Sequence, residues 1–416
     1  MAKFRDRVRS IDPRYKVQGQ DLPRILPPMY LTKASLKTSK RNFRKSSQAK
    51  SSLGRINNPE KIRRTNVIMM RQIGLDLGTK HIVLAYRDQN RNLKTSCEVN
   101  GYMVLPRNDS FTEQLLKQNG VPYVTREIGS KKEFIAIGSK AEKLAYSFNK
   151  SLRRPMAEGA VSRNDDDAQE IIAIIIKSLI GKLEDDSIIY YCTTAKPINS
   201  DMNVEFHRKI VKLIIESYAC DEIKVQAYHI NEARCLLLKE QGAAIGISWG
   251  AGTVTVHAGI FGVPIFEFCV VGSGDWVDVE AAKRFGYDPA HPERDSSETP
   301  TSICRRKEEI NLTSMPSDKV GQTIYLMYEI LVDNVLRGIV SGFKENRDKF
   351  KFDQPIPIIN AGGTSMPEGF MDLIKKRLGE MKDDIVFPIG DIRRVENPLF
   401  AVAHGCLTAA EMHQSE

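Results

Sequence analysis

The chain has 416 residues, 41% of them apolar and 27% charged, enough for two or more domains with sizeable cores. No apolar run is long enough to span a bilayer, and Met1 to Arg7 lack the apolar segment of a secretory signal. Cys97, Cys192, Cys220, Cys235, Cys269, Cys304 and Cys406 form no Cys-x-x-Cys pair and the histidines are equally scattered, which excludes a zinc cluster or disulfide framework and reads as a reduced, cytoplasmic protein.

The formal net charge of +9 is unevenly placed. Residues 1–70 hold 18 Lys and Arg against 4 Asp and Glu, a balance of +14, and the remainder is mildly acidic at −5. Residues 1–69 include a Ser/Lys/Arg run with neither helical nor alternating period, so a disordered basic extension is expected. Two readings of it stand open: a solvated tail, or a tether to an acidic partner, a membrane surface or nucleic acid. Its composition is also that of an organelle transit peptide, and a start at Met69 or Met70 would open the protein directly on its first strand.

That strand ends in Ile73-Gly74-Leu75-Asp76-Leu77-Gly78-Thr79-Lys80, followed by the apolar run His81 to Tyr86, and reads as a β-hairpin. The glycine lets backbone N–H groups approach a phosphate, and Asp76 can hold a metal ion or its water shell. Alone, such a turn is equally well a plain hairpin. Residues 96–150 mix short apolar runs with turns, as in a small surface subdomain. A helix is predicted over 165–183, a strand over 188–192, a helix over 202–218 and a strand over 223–228, with Asn231-Glu232 opening a leucine-rich helix. The alternation predicts α/β architecture.

The pattern then restarts. Runs 243–247 and 254–260 bracket Gly250-Ala251-Gly252-Thr253 as the first two runs bracket Gly78, which is an internal repeat. A helix over 276–284 follows, then a polar loop through Thr301, the basic segment Arg305-Arg306-Lys307 and a long helix over 324–343. A strand over 356–359 leads into a third glycine turn, Gly362-Gly363-Thr364-Ser365, before helices over 370–381 and 401–412. Three phosphate-sized turns in one chain point to a nucleotide held between two halves.

In order, Asp76-Leu77-Gly78-Thr79, Gly250-Ala251-Gly252-Thr253, Gly362-Gly363-Thr364-Ser365 and Val402-Ala403-His404-Gly405 resemble the motif set of the actin, heat-shock chaperone and sugar-kinase superfamily. Within it the chain is similar to bacterial actins, the rod-shape (MreB-like) and magnetosome-organising (MamK-like) filament proteins. Arg154 to Val161, Gly274 to Asp278 and Asn397-Pro398-Leu399 resemble their connecting segments. The resemblance covers residues 71–416 and not the basic extension. It implies an α/β actin-like ATPase fold of two duplicated domains, or four subdomains, around a nucleotide cleft: domain I from 70–240 with 397–416, domain II from 241–396.

The same resemblance implies ATP and magnesium as cofactors. Asp76 would face the metal, and Glu232 would orient the attacking water. Gly78, Thr79 and Lys80 would bind phosphate from one side, and Gly250, Ala251, Gly252 and Thr253 from the other. Gly362, Gly363 and Thr364 would lie under the adenosine, with Lys307 near the ribose. Such a set suffices for phosphoryl transfer, which needs positioning and charge neutralisation more than covalent chemistry.

The implied function is self-assembly into cytoplasmic filaments serving organelle organisation, cell shape or segregation. The rival class is a monomeric superfamily member: a chaperone-like ATPase, a small-molecule kinase or an adaptor. The chain departs from the family pattern at Ser248 and Thr255, where members usually carry acids. Serine cannot supply the charge that holds a magnesium shell, so hydrolysis is expected to be slow. Glu158 is a candidate compensating acid, and Ser248→Asp is expected to raise the rate.

Overall fold

The computed structural model describes residues 70–413 apart from 107–108, 129–130, 149, 151, 164, 182, 220–222 and 353. The basic extension 1–69, with its tether and transit-peptide readings, lies outside the described residues. The fold begins with a three-strand meander, β1 (Met70–Leu77), β2 (His81–Arg87) and β3 (Leu93–Val99). The polar edge strand β3, with its half-exposed Leu-Lys-Thr-Ser pattern, carries too little apolar alternation to be foreseen.

A small unit follows: β4 (Tyr102–Val104), α1 (Ser110–Gln118), β5 (Tyr123–Ile128), β6 (Lys131–Ile137) and α2 (Ser139–Ser147). Its three strands form their own sheet over a separate core that includes Met103, Tyr123 and Phe134, as the turn-rich sequence predicts. The short hairpin β7 (Met156–Ala157) and β8 (Ala160–Val161) leads to α3 (Ala168–Ile180), β9 (Leu183–Thr193), α4 (Val204–Glu216) and β10 (Val225–Asn231).

The helix expected to reach residue 183 stops at Gly181, whose φ of 67° lets the chain leave the helix. Leu183 already belongs to β9, where it pairs with Met70. The leucine-rich helix expected after Asn231 is a single turn, α5 (Glu232–Cys235). The returning strand β11 (Ala243–Trp249) presses on it so closely that a Cβ at Gly246 would overlap the Ala233 carbonyl.

From β11 the meander repeats through β12 (Thr253–Ile260) and β13 (Val263–Val271), followed by α6 (Gly274–Lys283). The predicted loop through Thr301 gives way to a helix, α7 (Pro300–Glu308). Pro300 stands in its first turn, and Thr299 and Ser302 form a capping box, both helix-start signals present in the sequence. Then come α8 (Lys319–Asn346), β14 (Ile356–Ala361), a 3₁₀ turn at Gly363–Ser365, α9 (Phe370–Glu380), β15 (Ile389–Arg394) and α10 (Ala401–His413).

The two large sheets have one topology. The first runs β10-β9-β1-β2-β3 and the second β15-β14-β11-β12-β13. In each, an antiparallel meander is extended by two parallel strands. The duplication extends to single residues. Gly74, four before Gly78, lies so close to α10 that a Cβ would overlap the Ala403 carbonyl, and Gly246, four before Gly250, stands likewise against α5. Each sheet carries its own core, Ile73, Leu75 and Ile172 among others in the first, Ile245, Leu331 and Ile358 in the second. Among the described residues no helix is long and apolar enough to cross a membrane.

Candidate functional site

The duplication brings two hairpin tips to one place. In the first, Gly78 N donates to His81 O at 3.0 Å; in the second, Gly250 N donates to Thr253 O at 3.0 Å. Asn100 Nδ2 holds the Gly78 carbonyl at 2.9 Å. Ser273 Oγ and Thr364 Oγ1 both donate to the Gly250 carbonyl at 2.7 Å, tying the second tip to α6 and to the third glycine turn. The tip of the β7–β8 hairpin joins them: Gly159 N donates to Thr79 Oγ1 at 3.2 Å.

The third turn shows two glycines with different duties. Gly362 has φ 94° and a Cβ there would overlap the Trp249 backbone, so it is a packing requirement. At Gly363 a Cβ would meet nothing nearer than Leu399 Cδ1 at 3.8 Å, because that side opens on a cavity of about 390 Å³. Asp76, Gly78, Thr79, Lys80, Glu232, Gly250, Ala251, Gly252, Thr253, Lys307, Gly362, Gly363 and Thr364 all line this cavity. Glu158 does not; it is exposed, and its neighbour Gly159 takes the place in the wall.

Two carboxyl groups project from the floor. Asp76, near the end of β1, accepts from the Cys192 thiol at 3.0 Å, and burial pushes its pKa up from 3.8 to about 6. Glu232 opens α5, whose first turn is fixed by Asn231 accepting from Ala233 N at 2.8 Å. Burial, and then the charge of Asp76, push Glu232 from 4.5 to about 8, against hydrogen bonds from Thr255 and Ser248. Thr255 Oγ1 lies 3.3 Å from Glu232 Oε2.

Ion pairs involve several of the lining residues. Lys80 Nζ crosses from the first hairpin to Glu308 Oε1 at 2.8 Å on α7, and Arg154 crosses to Asp275 on α6 at 2.7 Å. Lys307 is buried, with Nζ 2.7 Å from Asp278 Oδ1 and donating to the Gly274 carbonyl at 2.6 Å. Sequence reasoning gives no role to Asp275, Asp278, Cys304 or Glu308, which share the lining. The spacing Asp275-x-x-Asp278 on one helix face was the available signal. Three glycine turns, five carboxyl groups (Asp76, Glu232, Asp275, Asp278 and Glu308) and the lysines Lys80 and Lys307 thus surround one cavity of a size that holds a small molecule.

No curated protein matches the chain by sequence. Among solved structures the fold is similar to that of the MamK double helical filament, at TM-score 0.57 and 18% identity over 82% of this chain and 98% of that one. A match of 12% identity and TM-score 0.43 is found with the ethanolamine utilization protein EutJ from Carboxydothermus hydrogenoformans, over 82% of this chain and 92% of that one. The first likeness carries the fold: an actin-like, mixed α/β architecture, as the sequence motifs imply. The family model for volactin matches residues 70–410, which takes in both sheets and all three glycine turns; the chain belongs to the volactin family.

Proposed function

We propose that the cavity binds ATP with magnesium between domain I (70–240 with 397–416) and domain II (241–396), and that the protein self-assembles into cytoplasmic filaments while hydrolysing ATP slowly. The observation that carries the nucleotide reading is the convergence of the two N–H-rich tips at one cavity onto which Gly363 opens. In this reading Gly78, Thr79 and Lys80 clasp the phosphates from one side and Gly250, Ala251, Gly252 and Thr253 from the other. Gly362, Gly363 and Thr364 underlie the adenosine, with Lys307 at the ribose end.

The donor set fits magnesium. Asp76 is a half-buried carboxyl in the cavity wall, a hard oxygen donor of the kind magnesium takes. Asp76 would hold such a cation from one side, leaving its other positions to water and ligand oxygens. When bound it neutralises charge developing on the phosphate oxygens. Glu232 orients the water and accepts its proton. The water oxygen bonds to the γ-phosphorus, the bond to the β–γ bridging oxygen breaks, and ADP leaves with that electron pair.

Self-assembly is supported by the likeness to a filament protein. Ultracentrifugal pelleting with magnesium and ATP, followed by negative-stain imaging, tests it. Nucleotide-dependent pelleting of filaments is the expected result. A protein that binds ATP yet stays monomeric would leave a soluble nucleotide-binding member of the superfamily as the correct reading.

A further inference from the structure

We infer that Thr255, backed by Thr194 and accompanied by Ser248, is a positioning residue that aims the Glu232 carboxyl; the inference rests on the reading of the cavity as an ATPase site. Ser248 and Thr255 are cross-strand partners on β11 and β12, and both are buried. These are the two positions at which the resemblance to bacterial actins implies acids. Thr255 Oγ1 donates to Glu232 Oε2 at 3.3 Å, with Ser248 directly across the strand pair from it. A long contact of this kind tightens once substrate fills a site.

Thr255 is itself held. Its hydroxyl shares a 2.7 Å hydrogen bond with Thr194, which is 1% exposed and directly follows β9. A Thr255 hydroxyl that donates to Glu232 accepts from Thr194. The segment after β9 is pinned to β13, Cys269 N donating to Lys196 O at 3.1 Å and Ile198 N to Cys269 O at 3.0 Å. So a strand of the second sheet, a segment leaving the first, and the one-turn helix α5 meet at one carboxyl.

The chemistry explains the hydroxyls. Asp76 already opposes ionisation of Glu232. An acid at Ser248 or Thr255 would add a further negative charge in the same buried space. A hydroxyl supplies a donor without charge and fixes the rotamer of a side chain whose helix is too short to restrain it. This reverses the sequence-based expectation for Ser248→Asp.

The test is steady-state phosphate release together with equilibrium binding of labelled ATP for wild type, Thr255→Val, Thr255→Ser, Thr194→Val and Ser248→Asp, with melting curves to certify folding. Valine keeps the shape of threonine and removes the hydroxyl. Thr255→Val should lower kcat about tenfold, the scale of one net hydrogen bond, with KM and ATP affinity unchanged. Thr255→Ser should restore the rate, Thr194→Val should fall between, and Ser248→Asp should be slower than wild type. Equal kcat in folded Thr255→Val, no rescue by serine, or a faster Ser248→Asp overturns the inference. Wild type that binds ATP and releases no phosphate also overturns it, whereas wild type that binds no ATP overturns the ATPase reading itself.

Discussion

Gly252 faces Thr79 so closely that a Cβ on the glycine would sit 2.6 Å from the threonine hydroxyl and 2.7 Å from Gly159 N. The two repeats of the fold therefore touch through their turns. Gly252→Ala forces the tips apart against backbone that cannot yield, and overpacking of this kind costs about 1–3 kcal/mol. We expect a lower melting temperature and weakened ATP binding, read by calorimetry and by titration. Wild-type values for both would show that the tips do not set the cleft width.

The raised pKa of Glu232 makes stability and activity run in opposite directions with pH. Glu232 rises from 4.5 unfolded to about 8 folded, so the stability associated with its protonated form is complete below 4.5 and is lost as pH rises through about 8. The half-buried His81 and the buried His207, both lowered from 6.5 to about 4, act in the opposite sense, but their contribution is complete above 6.5. Between pH 6.5 and 8 the melting temperature of the nucleotide-free protein should therefore fall, and Glu232→Gln should flatten that slope. Phosphate release should rise over the same interval as the base ionises. A slope unchanged in Glu232→Gln would remove Glu232 as its source.

Lys80–Glu308 and Arg154–Asp275 tie the first half of the chain to α7 and α6 beside the cavity, and each is partly exposed, with Glu308 at 59%. Such pairs contribute roughly 0–1 kcal/mol each. Breaking both, with Glu308→Gln and Asp275→Asn, should leave melting nearly unchanged while nucleotide release speeds up, as followed by stopped-flow fluorescence of a labelled ATP. Release at the wild-type rate would mean that the pairs do not latch the cleft.

Much of this was readable beforehand because glycine turns and strand periodicity are local. The hairpin at Gly78, its repeat at Gly250 and the turn at Gly362 sit where alternation and turn chemistry put them. What escaped depends on distant neighbours. The close approach of Gly246 on the next strand to Ala233 of α5 joins residues thirteen apart in the chain. The partnership of Lys307 with Asp278 joins two helices across a loop, and that of Thr194 with Thr255 joins two sheets. The helix carrying Lys307 was missed although Thr299-Pro300 announces it, because the polar composition around it masks the apolar period.

The central claim, that a nucleotide lies on the third glycine turn between two facing phosphate turns, is tested most directly by calorimetric titration of magnesium-ATP into wild type and Gly363→Val, with Gly362→Val as the control. Gly363 opens on the cavity and Gly362 on the Trp249 backbone. The account predicts that Gly363→Val melts like wild type and binds no ATP, while Gly362→Val is destabilised by about 3 kcal/mol or more through backbone strain and overlap. A folded Gly363→Val protein that binds ATP with wild-type affinity would contradict it.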